Sequence, residues 1–130
     1  MKKLSSILLV DDDETTNFVN QMLLEDMAVA QQVLVANNGK EALDLIRLQS
    51  DDVYLPELIL LDINMPVMDG FEFLEAYEAL ALKHSVAIFV LTTSTNPGDI
   101  ARLKETSING FLNKPLTEEK VLHLLKQHGF

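Results

Sequence analysis

Four consecutive carboxylates follow the first apolar segment of the chain. The stretch LLVDDDE occupies residues 8–14, so the acids begin where the apolar run ends. Like charges this close repel one another, and burying them costs still more. We therefore expect a cation, or a reaction that uses the negative charge, at the end of this segment.

Three further reactive side chains stand at the ends of later apolar segments. Asp62 closes LILLD, Thr92 follows VAIFVL, and Lys114 follows GFLN. Oxygen ligands in a chain without cysteine suit a hard cation, and Mg²⁺ uses one or two carboxylates, several waters and a substrate phosphate. Asp11, Asp12 and Asp62 are therefore the candidate ligands of a Mg²⁺ ion.

The same residue types suit phosphoryl transfer. That reaction needs in-line positioning and neutralisation of the phosphoryl oxygens more than covalent help from the protein. A metal can take one oxygen, Lys114 a second, and the Thr92 hydroxyl with backbone N–H groups a third. Asp62 is placed to be the nucleophile, because a carboxylate can form an aspartyl phosphate. A Ser-His-Asp hydrolase does not fit, since no histidine occupies these positions.

Apolar runs and helical patterns alternate five times along the chain. Short continuous apolar runs are typical of strands buried on both faces, and they predict strands at 6–10, 32–36, 58–63, 86–91 and 110–113. Asp13, Asp69 and Thr117 are predicted helix caps. In the first helix the apolar face is predicted from Phe18, Met22, Leu23 and Met27, which recur at helical spacing.

Five strands separated by helices predict an α/β fold with a doubly wound parallel sheet, because crossovers between parallel strands are right-handed. Ligands of such sheets bind beyond the carboxyl ends of the strands. The acids, the threonine and the lysine are distant in sequence, and this fold would gather them at one edge.

Length and composition narrow the function further. The 130 residues are 48% hydrophobic and 23% charged, which predicts one domain spanning 1–130, with its core at about 6–127 and no output domain. The absence of cysteine excludes a disulfide framework and suits the cytoplasm. A net charge of −10 argues against direct nucleic-acid binding. No apolar run approaches the roughly 20 residues that span a bilayer.

Four segments together resemble the signatures of the response-regulator receiver domain of two-component signal transduction. They are LLVDDDE, LLDINMPVMDG, LTTS and FLNKP, and they stand in order at the ends of strands one, three, four and five. The resemblance covers about residues 7–127. It implies a flavodoxin-like (βα)5 three-layer sandwich with strand order 2-1-3-4-5.

The resemblance also implies a role for each acid. Asp62 would accept a phosphoryl group from a histidine kinase or a histidine phosphotransfer protein. Asp11, Asp12 and Asp62 would hold Mg²⁺ together with the backbone carbonyl of Asn64. The protein would catalyse only its own phosphorylation and dephosphorylation, as a signalling switch and not a metabolic enzyme.

The later signatures imply a switch. Lys114 would pair with the phosphoryl group, and its peptide bond to Pro115 would be cis. Thr92 would move toward the phosphoryl group and Phe111 would follow it inward. The face formed by the fourth helix, the fifth strand and the fifth helix would then change shape and contact a downstream protein. A plain core role for Phe111 is a competing interpretation.

Several alternatives remain open at this point. The chain could be a stand-alone receiver, a shuttle in a phosphorelay, or a receiver from a longer regulator. A haloacid-dehalogenase-like phosphatase also uses an aspartyl phosphate and Mg²⁺, but its nucleophile stands on the first strand and Asp62 would have no role. A flavodoxin-like cofactor binder needs a Ser/Thr/Gly-rich phosphate loop after the first strand, where this chain has acids.

Overall fold

The structure, a computed structural model, describes residues 3–48, 55–80, 86–93 and 97–129. Its strands are β1 (Leu4–Val10), β2 (Ala30–Ala36), β3 (Leu58–Asp62), β4 (Ala87–Thr92) and β5 (Gly110–Asn113). Its helices are α1 (Glu14–Met27), α2 (Gly39–Leu48), α3 (Gly70–Ala79), α4 (Pro97–Lys104) and α5 (Glu118–His128). All neighbouring strands pair in parallel, in the order β2-β1-β3-β4-β5. The predicted flavodoxin-like fold is therefore confirmed.

The apolar strands divide their side chains between two cores. Successive side chains of a strand point to opposite faces. In β1, Leu8 and Val10 join one core, and Ile7 and Leu9 join the other. Helices α2, α3 and α4 cover the first core, whereas α1 and α5 cover the second. The sheet is thus the middle of three layers, which explains why its central strands are apolar throughout.

All three predicted helix caps are present. The Asp13 carboxylate accepts hydrogen bonds from the backbone N–H groups of Thr15 and Thr16 at 2.9 and 3.3 Å. Asp69 forms a capping box at the start of α3, and the Thr117 side chain accepts from the Lys120 N–H at the start of α5. Because a cap satisfies N–H groups that have no partner inside the helix, these residues fix where each helix begins.

The prediction for the buried face of α1 was wrong for Phe18 and Met22 but confirmed for Leu23 and Met27, which pack against the second core. The buried residues of α1 are Asn17, Asn20 and Leu24, while Phe18 and Met22 are 62% and 49% exposed. The helix carries apolar residues on both sides, so their spacing alone does not select the inward side. A hydrogen bond from the Asn17 side chain to the backbone oxygen of Asp11 fixes the rotation of the helix and turns Phe18 outward.

Element boundaries differ from the predicted ones by a few residues. β1 and β2 each begin two residues earlier than predicted, and α4 begins at Pro97. Proline suits the first turn of a helix because its missing N–H would have no partner there. Within the described residues, no helix combines the length and apolar character that crossing a bilayer requires.

Candidate functional site

Two carboxylates, a hydroxyl and an ammonium group meet at the carboxyl edge of the sheet. Asp11 directly follows β1, Asp62 ends β3, Thr92 ends β4, and Lys114 directly follows β5. Asp11, Asp62 and Thr92 are all buried, with exposures of 5%, 6% and 1%. Parallel strands bring these positions to one edge, as the alternation of strands and helices predicted.

Three carboxylates of this edge form a candidate metal centre. Oxygen atoms of Asp11, Asp12 and Asp62 all lie within 4.8 Å of one another, and Asp12 is the exposed member. An octahedral Mg²⁺ ion about 2.1 Å from each ligand holds oxygens at most about 4.2 Å apart. Small side-chain movements therefore fit this donor set to Mg²⁺, and its all-oxygen chemistry suits a hard divalent cation.

Lys114 brings a positive charge to the same place. Its Nζ atom lies 2.8 Å from Oδ2 of Asp11 and 3.6 Å from Oδ1 of Asp62. The Lys114–Pro115 peptide bond is cis, the isomer that the resemblance implies. One ammonium therefore faces two carboxylates, and Asp12 lies beside them with its own negative charge.

The pKa values of this cluster reflect burial and crowding. Burial raises the pKa of Asp62 above its ordinary value, and the charge of Asp11 adds to this rise, while Lys114 partly offsets it. Burial by itself would lower the pKa of Lys114. Its hydrogen bond to Asp11 and the charges of Asp62 and Asp11 outweigh burial, so the pKa of Lys114 is raised. The site thus favours additional positive charge.

The loop after β3 packs tightly against Asp62. The backbone N–H of Asn64 donates to Oδ1 of Asp62 at 3.4 Å. At Gly70, the first residue of α3, a Cβ atom would lie 2.8 Å from the backbone oxygen of Asp62 and 2.7 Å from Cα of Ile63. Only glycine allows α3 to begin this close to the backbone that carries Asp62. Sequence reasoning did not identify Gly70, although a glycine directly after the Asp69 cap was a usable signal.

The two predicted switch residues lie on adjacent strands. Thr92 is buried at the end of β4, and Phe111 lies on β5 in register with Val90. Phe111 is 39% exposed. The competing interpretation of Phe111 as a plain core aromatic is therefore wrong, because the residue is exposed to solvent.

Sequence reasoning also missed Asn17. This amide is 3% exposed, and its Nδ2 atom donates to the backbone oxygen of Asp11 at 2.8 Å. Its spacing from Leu24 placed the two residues on one face of α1, which was a signal that the amide is buried with a partner.

The chain is similar to known proteins in both sequence and fold. Residues 7–126 match the family model described as response regulator receiver domain. Two-component response regulator 24 of Arabidopsis thaliana is 32% identical over 123 residues, which cover 95% of this chain and 83% of the relative. A two-component response regulator from Cytophaga hutchinsonii has a crystal structure with a TM-score of 0.86, 25% identity and 97% coverage of both chains. The chemotaxis protein CheY4 of Vibrio cholerae gives a TM-score of 0.77 at 31% identity, covering 95% of this chain and 98% of that one.

Proposed function

The chain belongs to the response regulator receiver domain family, and from this premise we propose that Asp62 accepts a phosphoryl group from a phosphohistidine. The donor would be a histidine kinase or a histidine phosphotransfer protein. The observation that carries the proposal is the convergence of Asp11, Asp12, Asp62 and Lys114 at one edge of the sheet.

In the proposed reaction an oxygen of Asp62 attacks the phosphorus atom in line with the leaving imidazole. The new bond joins this oxygen to phosphorus, the phosphorus–nitrogen bond breaks, and its electron pair stays on the imidazole nitrogen. Hydrolysis later removes the phosphoryl group. Water attacks phosphorus, the bond between phosphorus and the Asp62 oxygen breaks, and inorganic phosphate is released. Asp62 suits the first step because it stands at the end of β3, with Lys114 3.6 Å from its Oδ1 atom and the other two carboxylates beside it.

The surrounding residues supply charge and position. Asp11, Asp12, Asp62 and the backbone carbonyl of Asn64 would hold Mg²⁺, which supplies positive charge to a phosphoryl oxygen when bound. Lys114 already contacts both buried carboxylates, so its ammonium can hydrogen-bond a phosphoryl oxygen with little movement. The Thr92 hydroxyl would hold a third oxygen. These groups neutralise the charge that phosphoryl transfer concentrates at the site.

Phosphorylation would then change the surface formed by α4, β5 and α5. A phosphoryl group adds about −1.5 to −2 charges and three acceptor oxygens. Thr92 would move toward it and vacate space beside β5, and the half-exposed ring of Phe111 would turn into that space. A local charge change would thus bias a two-state element, and a downstream protein would read the result.

An exposed apolar patch on α1 fits the phosphodonor. Phe18, Val19 and Met22 are 62%, 55% and 49% exposed, and the helix that carries them begins directly after the acidic segment. Apolar side chains concentrated beside a reactive site mark an interaction surface. We propose that the helices of the phosphodonor pack on this patch and bring the phosphohistidine to Asp62.

Among the possible contexts, we propose a stand-alone cytoplasmic receiver that acts by contacting another protein. A phosphorelay shuttle would use the same chemistry, passing the phosphoryl group on to a second histidine. The haloacid-dehalogenase-like alternative is not kept, because the chain belongs to a different family.

The test is incubation with Mg²⁺ and acetyl phosphate, followed by intact-protein mass spectrometry. The wild type should gain the mass of one phosphoryl group. Asp62→Asn should gain none, and neither should the wild type with its metal chelated. An equal adduct on Asp62→Asn would refute the assignment of the nucleophile.

A further inference from the structure

Asn17 holds both ends of the acidic segment that precedes α1. Its Nδ2 atom donates to the backbone oxygen of Asp11 at 2.8 Å, and its backbone N–H donates to the backbone oxygen of Asp13 at 3.0 Å. The side chain is buried, with only 3% of the residue exposed. The Asn17 side chain therefore fixes the backbone of Asp11, whereas its N–H bond to Asp13 is the first backbone hydrogen bond of α1.

The other polar atoms of Asp11 are also engaged. Its N–H donates to the backbone oxygen of Ala36 at 3.1 Å, and Oδ1 accepts from the N–H of Asp13 at 3.0 Å. Oδ2 accepts from Lys114. With Asn17 on its backbone oxygen, Asp11 is held at every polar atom, so its carboxylate has a fixed direction.

The amide of Asn17 holds this position at a cost to stability. Its Oδ1 atom is buried, and no described residue hydrogen-bonds to it. A buried acceptor without a partner destabilises the folded state. Leucine has nearly the same size and would remove this unpaired oxygen, but it would also take the donor away from the backbone oxygen of Asp11. Asn17 leaves one of its own oxygens unpaired, but it holds the backbone of a candidate metal ligand. This effect on the ligand explains why an amide stands at position 17.

We propose that Asn17 is a positioning residue of the metal centre, which orients Asp11 and Asp12 toward the cation by holding the backbone of Asp11. This inference rests on the proposed function, because it takes these two aspartates as Mg²⁺ ligands. Groups that hydrogen-bond to metal ligands set the direction of those ligands, and losing one typically weakens metal binding about 10–100-fold.

The test measures metal affinity and metal-free stability on the same variants. Mg²⁺ binding is followed by isothermal titration calorimetry, and thermal unfolding is followed with a chelator present. Asn17→Leu should weaken Mg²⁺ binding by about tenfold or more, while its metal-free Tm stays well above the temperature of the titration. Asn20→Leu is the matched control, since Asn20 is also buried on this face of α1 and its side chain makes no hydrogen bond to the described acidic segment. It should keep the wild-type Kd.

Two results would overturn the inference while leaving the proposed function intact. One is a wild-type Kd in Asn17→Leu. The other is an equal loss of Mg²⁺ affinity in Asn20→Leu, which would make the loss a general effect of changing the buried face of α1. If Asn17→Leu does not fold, Asn17→Ala is measured against the same criteria. A wild type that binds no Mg²⁺ would instead refute the proposed metal centre itself.

Discussion

The Nζ atom of Lys114 lies 2.8 Å from Oδ2 of Asp11, although 103 positions separate the two residues in sequence. The same ammonium lies 3.6 Å from Oδ1 of Asp62. The positive charge at the end of β5 therefore attracts the carboxylates at the ends of β1 and β3. In the metal-free protein this lysine offsets part of the repulsion between two buried carboxylates.

Replacing Lys114 should destabilise the metal-free protein. Removing one partner of a buried ion pair costs about 3–5 kcal/mol, and we expect about 2 kcal/mol for Lys114→Met because its side chain is partly exposed. Urea unfolding with a chelator present measures the change. Lys126→Met, on the exposed side of α5, should alter the free energy of unfolding by much less. An equal change in the free energy of unfolding in the two variants would contradict the role of Lys114 as a counter-charge.

Asp62→Asn should stabilise the metal-free protein at neutral pH. The pKa of Asp62 is raised in the folded state, so the folded protein binds its proton more tightly than the unfolded chain does. Stability contributed by the protonated carboxyl is therefore lost as pH rises from the unfolded value of 3.8 through the raised folded value. Asparagine stays uncharged as pH rises, so the Asp62→Asn variant does not lose this stability.

Thermal unfolding of Asp62→Asn as a function of pH, with a chelator present, checks this sign. The variant should have the higher Tm at pH 7, and the difference should shrink as pH falls toward the unfolded pKa. Asp44→Asn, an exposed acid on α2, should show no such trend. A lower Tm for Asp62→Asn at pH 7 would show that burial and the charge of Asp11 do not dominate at this site.

Gly70→Ala should disturb both stability and phosphorylation. The added Cβ would meet backbone atoms of Asp62 and Ile63 at 2.8 and 2.7 Å, and backbone cannot rotate away. Overpacking of this kind costs about 1–3 kcal/mol. The displaced Asp62 should also react more slowly with acetyl phosphate.

Gly39→Ala provides the comparison for Gly70→Ala. Its Cβ would meet Cγ of Met68, a flexible side chain, at 2.9 Å and the backbone oxygen of Met68 at 3.0 Å, so its backbone contact is longer than those at Gly70. Urea unfolding should show a smaller loss of stability for Gly39→Ala than for Gly70→Ala. A reversed order would mean that the contact of α3 with the Asp62 backbone is not a constraint.

Phe18→Ser should impair phosphotransfer from a protein donor more than from a small molecule. Phe18 is 62% exposed on the apolar patch of α1, so a donor that packs there loses contact area. We expect the ratio of the rate with a phosphorylated histidine phosphotransfer domain to the rate with acetyl phosphate to fall about tenfold, or roughly 1.4 kcal/mol. Leu48→Ser, at an apolar residue 78% exposed at the end of α2, should keep the wild-type ratio. Equal ratios in all three proteins would exclude the patch as the docking surface.

The sheet and the meeting of the site residues were predictable because they depend on few rules. Continuous apolar runs at β3 and β4 require burial on both faces, and parallel strands place Asp62 and Thr92 at one edge. The caps were predictable for a similar reason, since Asp69 and Thr117 satisfy local N–H groups.

The buried face of α1 and the residues that support the site were not predictable in this way. Phe18 and Leu24 are both apolar, and which of them faces the core depends on a hydrogen bond from Asn17 to a loop outside the helix. Gly70 is constrained by the backbone of Asp62, a contact that exists only once α3 has packed against β3. Such contacts arise between elements, and sequence spacing within one element does not contain them.

The central claim is that Asp62, among the three clustered carboxylates, carries the phosphoryl group. An acyl phosphate can be reduced with borohydride, which converts the modified aspartate to homoserine and marks its position permanently. Protein treated with Mg²⁺ and acetyl phosphate, then reduced and digested, should contain homoserine at residue 62 by peptide mass spectrometry. Homoserine at Asp11 or Asp12 in its place, or at none of the three, would contradict the account.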